Sequence, residues 1–177
     1  MNAEYQNRRY SVGPYNPEWP KRFAAEAEEL KKIFGSDVLA IEHVGSTSVP
    51  GMSGKPTIDI LIVVDDLTSA DRHTAEMKRL GYEHLPEYVV SDSHLFRRMK
   101  DHVLLSNVHV FEKGNPEVQE ILALRDYLRS HPEEVRAYSD FKNDLYAQYP
   151  NDYTSYRKHK DEFMEKLLQR AGVGAVS

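Results

Sequence analysis

The most constraining feature of the sequence is the stretch TIDILIVV at residues 57–64, in which one aspartate interrupts a run of β-branched and apolar residues. A strand exposed on one face alternates apolar and polar residues, whereas a strand covered on both faces is almost continuously apolar. The stretch therefore predicts an interior β-strand. Burying the carboxylate of Asp59 there is costly unless it binds a cation or a hydrogen-bond donor. We therefore expect Asp59 to be a catalytic and metal-binding residue.

The loop before this strand, GSTSVPGMSGKP at residues 45–56, is rich in glycine and hydroxyl side chains and holds one lysine. Backbone N–H groups in a tight turn can converge on a phosphate. The loop therefore predicts an anion site, with an ordinary turn as the alternative. The candidate phosphate-binding residues are Gly45, Ser46, Thr47, Ser48 and Lys55. A P-loop is excluded, because Ser or Thr must follow Gly-Lys directly and open a helix, whereas Pro56 and a strand follow here.

Two histidines are candidates for the same site. His109 lies in NVHVF, where it alternates with apolar residues and so shares one strand face with Asn107. If that face also carries Asp59, His109 can serve as a base or ligand, and the alternative is a structural histidine. His43 precedes the loop, where it can contact substrate or fix the loop by a structural hydrogen bond.

Two arginines are further candidates for binding phosphate. Arg97 belongs to a basic cluster with Arg98 and Lys100 on a predicted hairpin, which either binds phosphate or is solvated. Arg125 lies on a predicted helix from which its guanidinium can reach the pocket from above. The alternative for Arg125 is a surface ion pair with Asp126, which contributes little stability.

Composition restricts the classes of partner and cofactor. The formal net charge of -5 and the pI near 5.9 argue against a basic surface that binds duplex nucleic acid. The chain has no cysteine, so any metal has to be held by carboxylate, imidazole or backbone oxygen. The N-terminus lacks the apolar core of a signal peptide, and no apolar run approaches the roughly 18 residues of a membrane span. We therefore expect a cytoplasmic protein without membrane contact.

The periodicity of apolar residues predicts a single α+β domain over residues 1–177. Strands are predicted at residues 37–44, 57–64, 83–90, 94–100 and 102–112, and helices at 16–35, 67–82, 115–131, 132–150 and 152–172. Within the domain, a mixed sheet with flanking helices covers residues 15–114, and a three-helix segment covers residues 115–172. The predicted helix caps are Asn16, Thr68 or Ser69, and Asn115. Five residues of the closing helices are interpreted as aromatic packing with solvated amines, with a tyrosine-lined wall for a base as the alternative: Tyr138, Lys142, Tyr153, Tyr156 and Lys158.

The tripeptide VGS is followed, after about a dozen residues, by IDI. This arrangement resembles the nucleotidyltransferase pattern, in which a strand aspartate helps to hold Mg²⁺. More specifically, the chain resembles the GrpB family, which has a nucleotidyltransferase-like fold and also occurs fused to dephospho-CoA kinase. The resemblance covers nearly the whole sequence, through YNPEWPKRF, IEHVGSTSVPGMSGKPTIDILI, NVHVF, LRDYLRSHPEEVRAYSDFK and YTSYRKHKDEF. It implies a nucleotidyltransferase-like mixed sheet with Gly45, Ser46, Lys55 and Asp59 as pocket residues.

Two positions depart from these patterns. Leu61 stands where the nucleotidyltransferase pattern has a second carboxylate, two residues after Asp59 and on the same face of the strand. Asn107 stands where the family often has another histidine, which weakens a metal site built from that strand.

Two functions follow as hypotheses. The first is an Mg²⁺-dependent transferase that moves a nucleotidyl or phosphoryl group, favoured by Lys55 and the hydroxyls around Asp59. The second is a catalytically impaired module that binds a phosphate-bearing small molecule or assists folding through a protein partner, favoured by Leu61. A hydrolase that uses His43 or His109 as its base is the third.

Overall fold

Five β-strands form one mixed sheet in the structure, a computed structural model that describes residues 9–86 and 92–173. The strands are β1 (Val38–Val44), β2 (Ile58–Val64), β3 (Tyr82–Pro86), β4 (Ser93–Lys100) and β5 (Val103–Glu112). Their spatial order is β1-β2-β5-β4-β3, with β2 and β5 parallel and the other neighbours antiparallel. The predicted α+β class and the interior position of β2 are therefore confirmed. Residues 87–90 of the strand predicted at 83–90 lie outside the described part.

The helices pack on this sheet and follow the predicted order. They are α1 (Trp19–Phe34), α2 (Thr68–Arg72), α3 (Thr74–Arg79), α4 (Pro116–Ser130), α5 (Pro132–Gln148) and α6 (Tyr153–Arg170). Short 3-10 turns cover Gly35–Asp37 and Ser46–Ser48. Within the described residues, none of the helices combines the length and the apolar character needed to cross a membrane.

The single helix predicted at residues 67–82 was wrong, because the backbone leaves the helical conformation at His73 (φ -94°, ψ 3°) and separates α2 from α3. The His73 ring contacts Asp37 at 2.9 Å, which holds this break beside the end of α1. The predicted cap was also wrong. The side chain of Asp66, rather than Thr68 or Ser69, accepts the N–H of Thr68 at 2.9 Å.

The two faces of β2 serve different purposes. Ile58, Ile60 and Ile62 are fully buried and pack with Leu30 of α1 in the main core. The opposite face carries Asp59, Leu61 and Val63, and the closing helices α4–α6 lie on that side. Since side chains alternate across a strand, the apolar run that buries one face also fixes where Asp59 points.

The loop between β1 and β2 is anchored under the closing helices. Val49 and Met52 pack in one apolar cluster with Leu128 of α4 and Tyr138 of α5. The backbone N–H of the loop residue Ser53 donates to the hydroxyl of Ser139 at 3.0 Å, where α5 crosses it. The loop and the helices therefore enclose the Asp59 face of the sheet.

Candidate functional site

Asp59 lies opposite Asn107 in the parallel β2–β5 pair, and His109 follows two residues later on the same face. The predicted shared face of Asn107 and His109 is confirmed, and the register shows that Asp59 lies on it, which the sequence left open. The Asn107 amide donates to Asp59 Oδ1 at 2.8 Å, so this half-buried carboxylate has a neutral hydrogen-bond donor. Burial lowers the pKa of His109, although the Asp59 carboxylate opposes that shift. His109 is therefore a neutral imidazole beside Asp59 at neutral pH.

Gly45 gives the Asp59 carboxylate its space. A Cβ atom at Gly45 would lie 2.5 Å from Asp59 Oδ2, well inside van der Waals contact. The backbone of Gly45 has φ 71° and ψ -175°, a region that glycine alone adopts readily. The loop glycine is therefore required both by its own conformation and by the neighbouring carboxylate.

The three loop hydroxyls do not act together. Ser46 lines the cavity beside Asp59. Thr47 is buried and contacts the ring of His43 at 2.9 Å, while Ser48 donates to the carbonyl of Gly45 at 2.7 Å. Thr47 and Ser48 therefore hold the loop together, and the structure does not bring them to the cavity as the phosphate contacts that we predicted.

His43 also lies away from the cavity, because it points to the α1 face of the sheet. Its ring stacks on Phe23 with 4.7 Å between centroids, and burial, followed by the charges of Arg129 and Arg125, lowers its pKa to about 4. This geometry corresponds to the structural alternative, in which His43 fixes the loop through Thr47.

The predicted arginines lie at the edges of the site. Arg97 pairs with Asn107 across the β4–β5 ladder, is buried, and bonds Glu83 at 2.7 Å. It lines a second cleft that shares Asp59 and His109 with the cavity. Arg98 points to the opposite face, where it bonds Glu26, so the predicted basic cluster does not act as one unit.

Arg125 does reach the pocket from α4, as its helical position suggested. Its guanidinium bonds Glu42 at 2.7 Å, the carbonyl of His43 at 3.2 Å and Asp126 at 2.8 Å. The ion pair with Asp126 that we considered as the alternative is therefore present as well. Arg125 lines the cavity, but the positions of its nitrogens are set by these protein acceptors.

Lysines from three elements converge on the cavity. Lys142 of α5 is 2% exposed and donates to the Ser46 hydroxyl at 3.0 Å, with its Nζ 4.3 Å from the centre of the Tyr138 ring. Lys55 donates to the hydroxyl of Tyr153 at 2.7 Å, and Lys160 of α6 completes the group. Burial, followed by the charges of Lys160 and Lys55, lowers the pKa of Lys142 to about 7.

The interpretation of Lys142 as a solvated amine was wrong. The signal was in the sequence, since Val135, Tyr138, Ser139 and Leu145 form a stripe at helical spacing and Lys142 falls on it. Lys160 was not predicted as a site residue either, because its neighbours in sequence are mostly polar. Tyr156, for which we favoured packing, is buried next to the cavity.

The cavity between the sheet and the closing helices has a volume of about 350 Å³. Its floor is Asp59 and His109, and its polar wall is formed by Ser46, Arg125 and the three lysines. Asp59 is the one carboxylate among the described residues that line it. A cavity with three amines and one carboxylate favours an anionic ligand.

These residues do not fit a pair of Mg²⁺ ions. Leu61 is fully buried against Phe111 of β5 and Val118 of α4, so its side chain lies under a helix instead of facing the cavity. Two-metal chemistry needs bridging and flanking carboxylates around both ions, whereas His109 and Asn107 are the neighbours of Asp59 on the adjacent strand.

The GrpB protein family matches residues 9–170. The chain belongs to the GrpB family. It is 35% identical to the UPF0157 protein YqkA of Bacillus subtilis over 94% of its own length, and it spans 48% of that relative. It is also 28% identical to the dephospho-CoA kinase of Mycolicibacterium paratuberculosis, covering 89% of this chain and 45% of that protein. The expected occurrence of GrpB-like sequence within dephospho-CoA kinases is therefore confirmed.

Solved structures agree with this assignment. The crystal structure of the conserved protein GrpB from Enterococcus faecalis superposes with a TM-score of 0.86 at 34% identity, covering 91% of this chain and 96% of that one. A cytoplasmic RNA terminal U-transferase superposes with a TM-score of 0.50 at 14% identity, covering 76% of this chain and 41% of that one. The second likeness concerns the fold alone and supports the predicted nucleotidyltransferase-like sheet.

Proposed function

We propose that the protein binds a small phosphate-bearing molecule of the nucleotide class in the cavity of Asp59, and that lysines, rather than Mg²⁺, neutralise its phosphates. The observation that carries this proposal is the placement of Lys142. Its amine is buried, bonds the neutral hydroxyl of Ser46, and lies in a cavity with Lys55 and Lys160.

A buried ammonium group is stable only when hydrogen bonds or opposite charge compensate its lost hydration. The charges that act most strongly on Lys142 are two other lysines, both of which disfavour its protonated form. A phosphate brought beside Ser46 supplies the missing negative charge and forms strong charge-assisted hydrogen bonds. The ligand therefore completes an electrostatic arrangement that the chain leaves positive.

The shape of the cavity supports a nucleotide-sized ligand. Its volume of about 350 Å³ lies at the lower end of the range for small-molecule sites, roughly 300 to 1,000 Å³. Partly exposed apolar side chains such as Leu124 and Met164 line it beside the amines, which gives a surface for a sugar or a base.

A transferase remains the second candidate because Asp59 and His109 stay at the cavity floor. Asp59 would be the residue that holds a metal ion, and His109 the residue that accepts a proton. Turnover of a labelled nucleoside triphosphate by the purified protein, abolished in Asp59→Asn, would establish this function in addition to binding.

Isothermal titration with ATP tests the binding proposal, once in EDTA and once in excess Mg²⁺. We expect binding in EDTA, and we expect Lys142→Met to weaken it about tenfold to a hundredfold, because a buried hydrogen bond to a charged group contributes roughly 1.5 to 3 kcal/mol. Lys158→Met removes an exposed lysine from α6 and is the matched control. Absence of binding to ATP, ADP and AMP under both conditions would refute the proposal.

A further inference from the structure

Two histidines and one aspartate meet on the face of the sheet opposite the cavity. His84 of β3 and His94 of β4 approach with 2.6 Å between Nε2 and Nδ1, and their rings are nearly coplanar at 11°. Asp71 of α2 lies beside them, with Oδ1 3.9 Å from His94 Nδ1. One potential ligand atom from each of the three lies within 4.8 Å of the other two.

The sheet register places this cluster away from Asp59. His84 pairs with Phe96, which pairs with Val108, and His94 pairs with Val110. Val108 and Val110 pair in turn with the core residues of β2 on the α1 face. The cluster is therefore independent of the proposed phosphate site.

The contacts around His84 fit a tautomer whose Nε2 lone pair is directed at the cluster. The Thr74 hydroxyl donates its proton to the carbonyl of Ala70 at 3.1 Å and also lies 3.4 Å from His84 Nδ1. With the hydroxyl proton given to Ala70, Thr74 offers its oxygen to the ring, and this arrangement fits the tautomer that has its hydrogen on Nδ1 and its lone pair on Nε2. An N–H donated to an outer partner is the usual arrangement of a metal-binding histidine.

We propose that His84 Nε2, His94 Nδ1 and a carboxylate oxygen of Asp71 form a binding site for a divalent transition-metal ion of the Zn²⁺ class. Two imidazoles and one carboxylate are a donor set that Zn²⁺ accepts, and three protein ligands leave a fourth position open for water or another ligand. Mg²⁺ is a poor occupant, because it prefers oxygen ligands.

Small side-chain rotations bring the three groups to binding distance. Zn²⁺ takes nitrogen ligands at roughly 2.0 to 2.1 Å, which puts two nitrogens of a tetrahedral site about 3.3 Å apart. The two rings therefore have to move apart from their present 2.6 Å contact, whereas Asp71 has to move closer from 3.9 Å. The Asp71 side chain is 63% exposed and can rotate without displacing core residues.

The competing explanation is a hydrogen bond from one imidazole to the other without any metal. Burial, followed by the neighbouring His94, lowers the pKa of His84, so the ring is neutral at neutral pH and either state can form. The two explanations differ in one respect. Bound metal joins α2 to the β3–β4 hairpin through Asp71, whereas the imidazole contact joins the two strands alone.

Zinc binding is tested on the full chain without a histidine tag, after dialysis against a chelator, by competition with a chromogenic Zn²⁺ indicator. We expect one Zn²⁺ per chain, at least tenfold weaker binding in Asp71→Asn and a larger loss in His84→Gln. The matched control is His159→Gln, since His159 is a partly exposed imidazole 3.5 Å from Glu162 on α6 and belongs to no group of three potential ligands among the described residues.

A second measurement separates ligation from a change in folding. In ¹⁵N-labelled protein, Zn²⁺ is expected to shift the ring nitrogens of His84 and His94 and to leave those of His159 unchanged. Asp71→Asn alters an exposed side chain, so its folding is expected to be intact even where His84→Gln is impaired. Lack of saturable binding, equal affinity in wild type and Asp71→Asn, or shifts confined to other histidines would overturn the proposal.

Discussion

Lys142 makes the stability of the protein depend on pH in a direction that can be calculated. Its pKa is lowered from 10.5 to about 7 in the folded chain, chiefly by burial. Between these two values the unfolded chain holds the proton and the folded chain does not, so that unfolding takes up a proton. The free energy of unfolding therefore rises as the pH increases from about 7 to 10.5, and this gain in stability is fully lost as the pH falls below 7.

The magnitude follows from the size of the pKa change. Each unit corresponds to about 1.4 kcal/mol, so the full range is worth roughly 5 kcal/mol for this nearly inaccessible amine. The hydrogen bond to Ser46 and the ring of Tyr138 favour the protonated form, and they make this figure an upper bound. Lys142→Met keeps the length of the side chain and removes the titrating group.

Urea unfolding of wild type and Lys142→Met at pH 7.5, 8.5 and 9.5 measures the effect. We expect the stability difference between them to change by roughly 2 to 3 kcal/mol over this range, in favour of wild type at higher pH. Lys158→Met, on an exposed part of α6, controls for the loss of one positive charge. Parallel pH profiles for wild type and Lys142→Met would refute the assignment of a neutral buried amine.

Two further predictions concern the loop. Gly45→Ala is expected to destabilise the protein by several kcal/mol more than Gly51→Ala. Both glycines have positive φ, but a Cβ atom at Gly45 would lie 2.5 Å from Asp59 Oδ2, whereas a Cβ atom at Gly51 would enter open space. Equal losses of stability in thermal unfolding would contradict this contact. Between pH 6.5 and about 4 the unfolded chain protonates His43 while the folded chain keeps it neutral, because burial lowers its folded pKa to about 4. The free energy of unfolding therefore falls as the pH decreases through this range, and His43→Gln is expected to reduce that fall. Coincident acid-unfolding curves for His43→Gln and wild type would show that His43 does not carry this dependence.

Local patterns predicted the strands and several helix starts well. The apolar run of β2 and the alternation in β5 are properties of adjacent residues, and they predicted the interior strand and the shared face of Asn107 and His109 correctly. The position of Asp59 on that same face depends on the register between β2 and β5, which the sequence left open. Asn115 accepts the N–H of Glu117 at 3.0 Å, as its position before Pro116 predicted. These features depend on neighbours within a few positions, which the sequence shows directly.

The failures concern contacts between distant segments. Thr47 and Ser48 were predicted as phosphate contacts, but the Thr47 hydroxyl is oriented by the His43 ring and the Ser48 hydroxyl by the carbonyl of Gly45. Lys142 was taken as solvated because lysine is rarely buried, and its partner Ser46 is 96 positions away. Side-chain direction in a loop and burial of a charged residue are both decided by packing that no local pattern contains.

The contacts that close the cavity also determine when it can form. Lys142 with Ser46 and Lys55 with Tyr153 join residues separated by 96 and 98 positions. Closing such long loops costs more chain entropy than forming the β4–β5 hairpin, so these contacts are expected to form after the folding transition state. A ligand held between the loop and the closing helices is therefore expected to slow unfolding while leaving the folding rate unchanged.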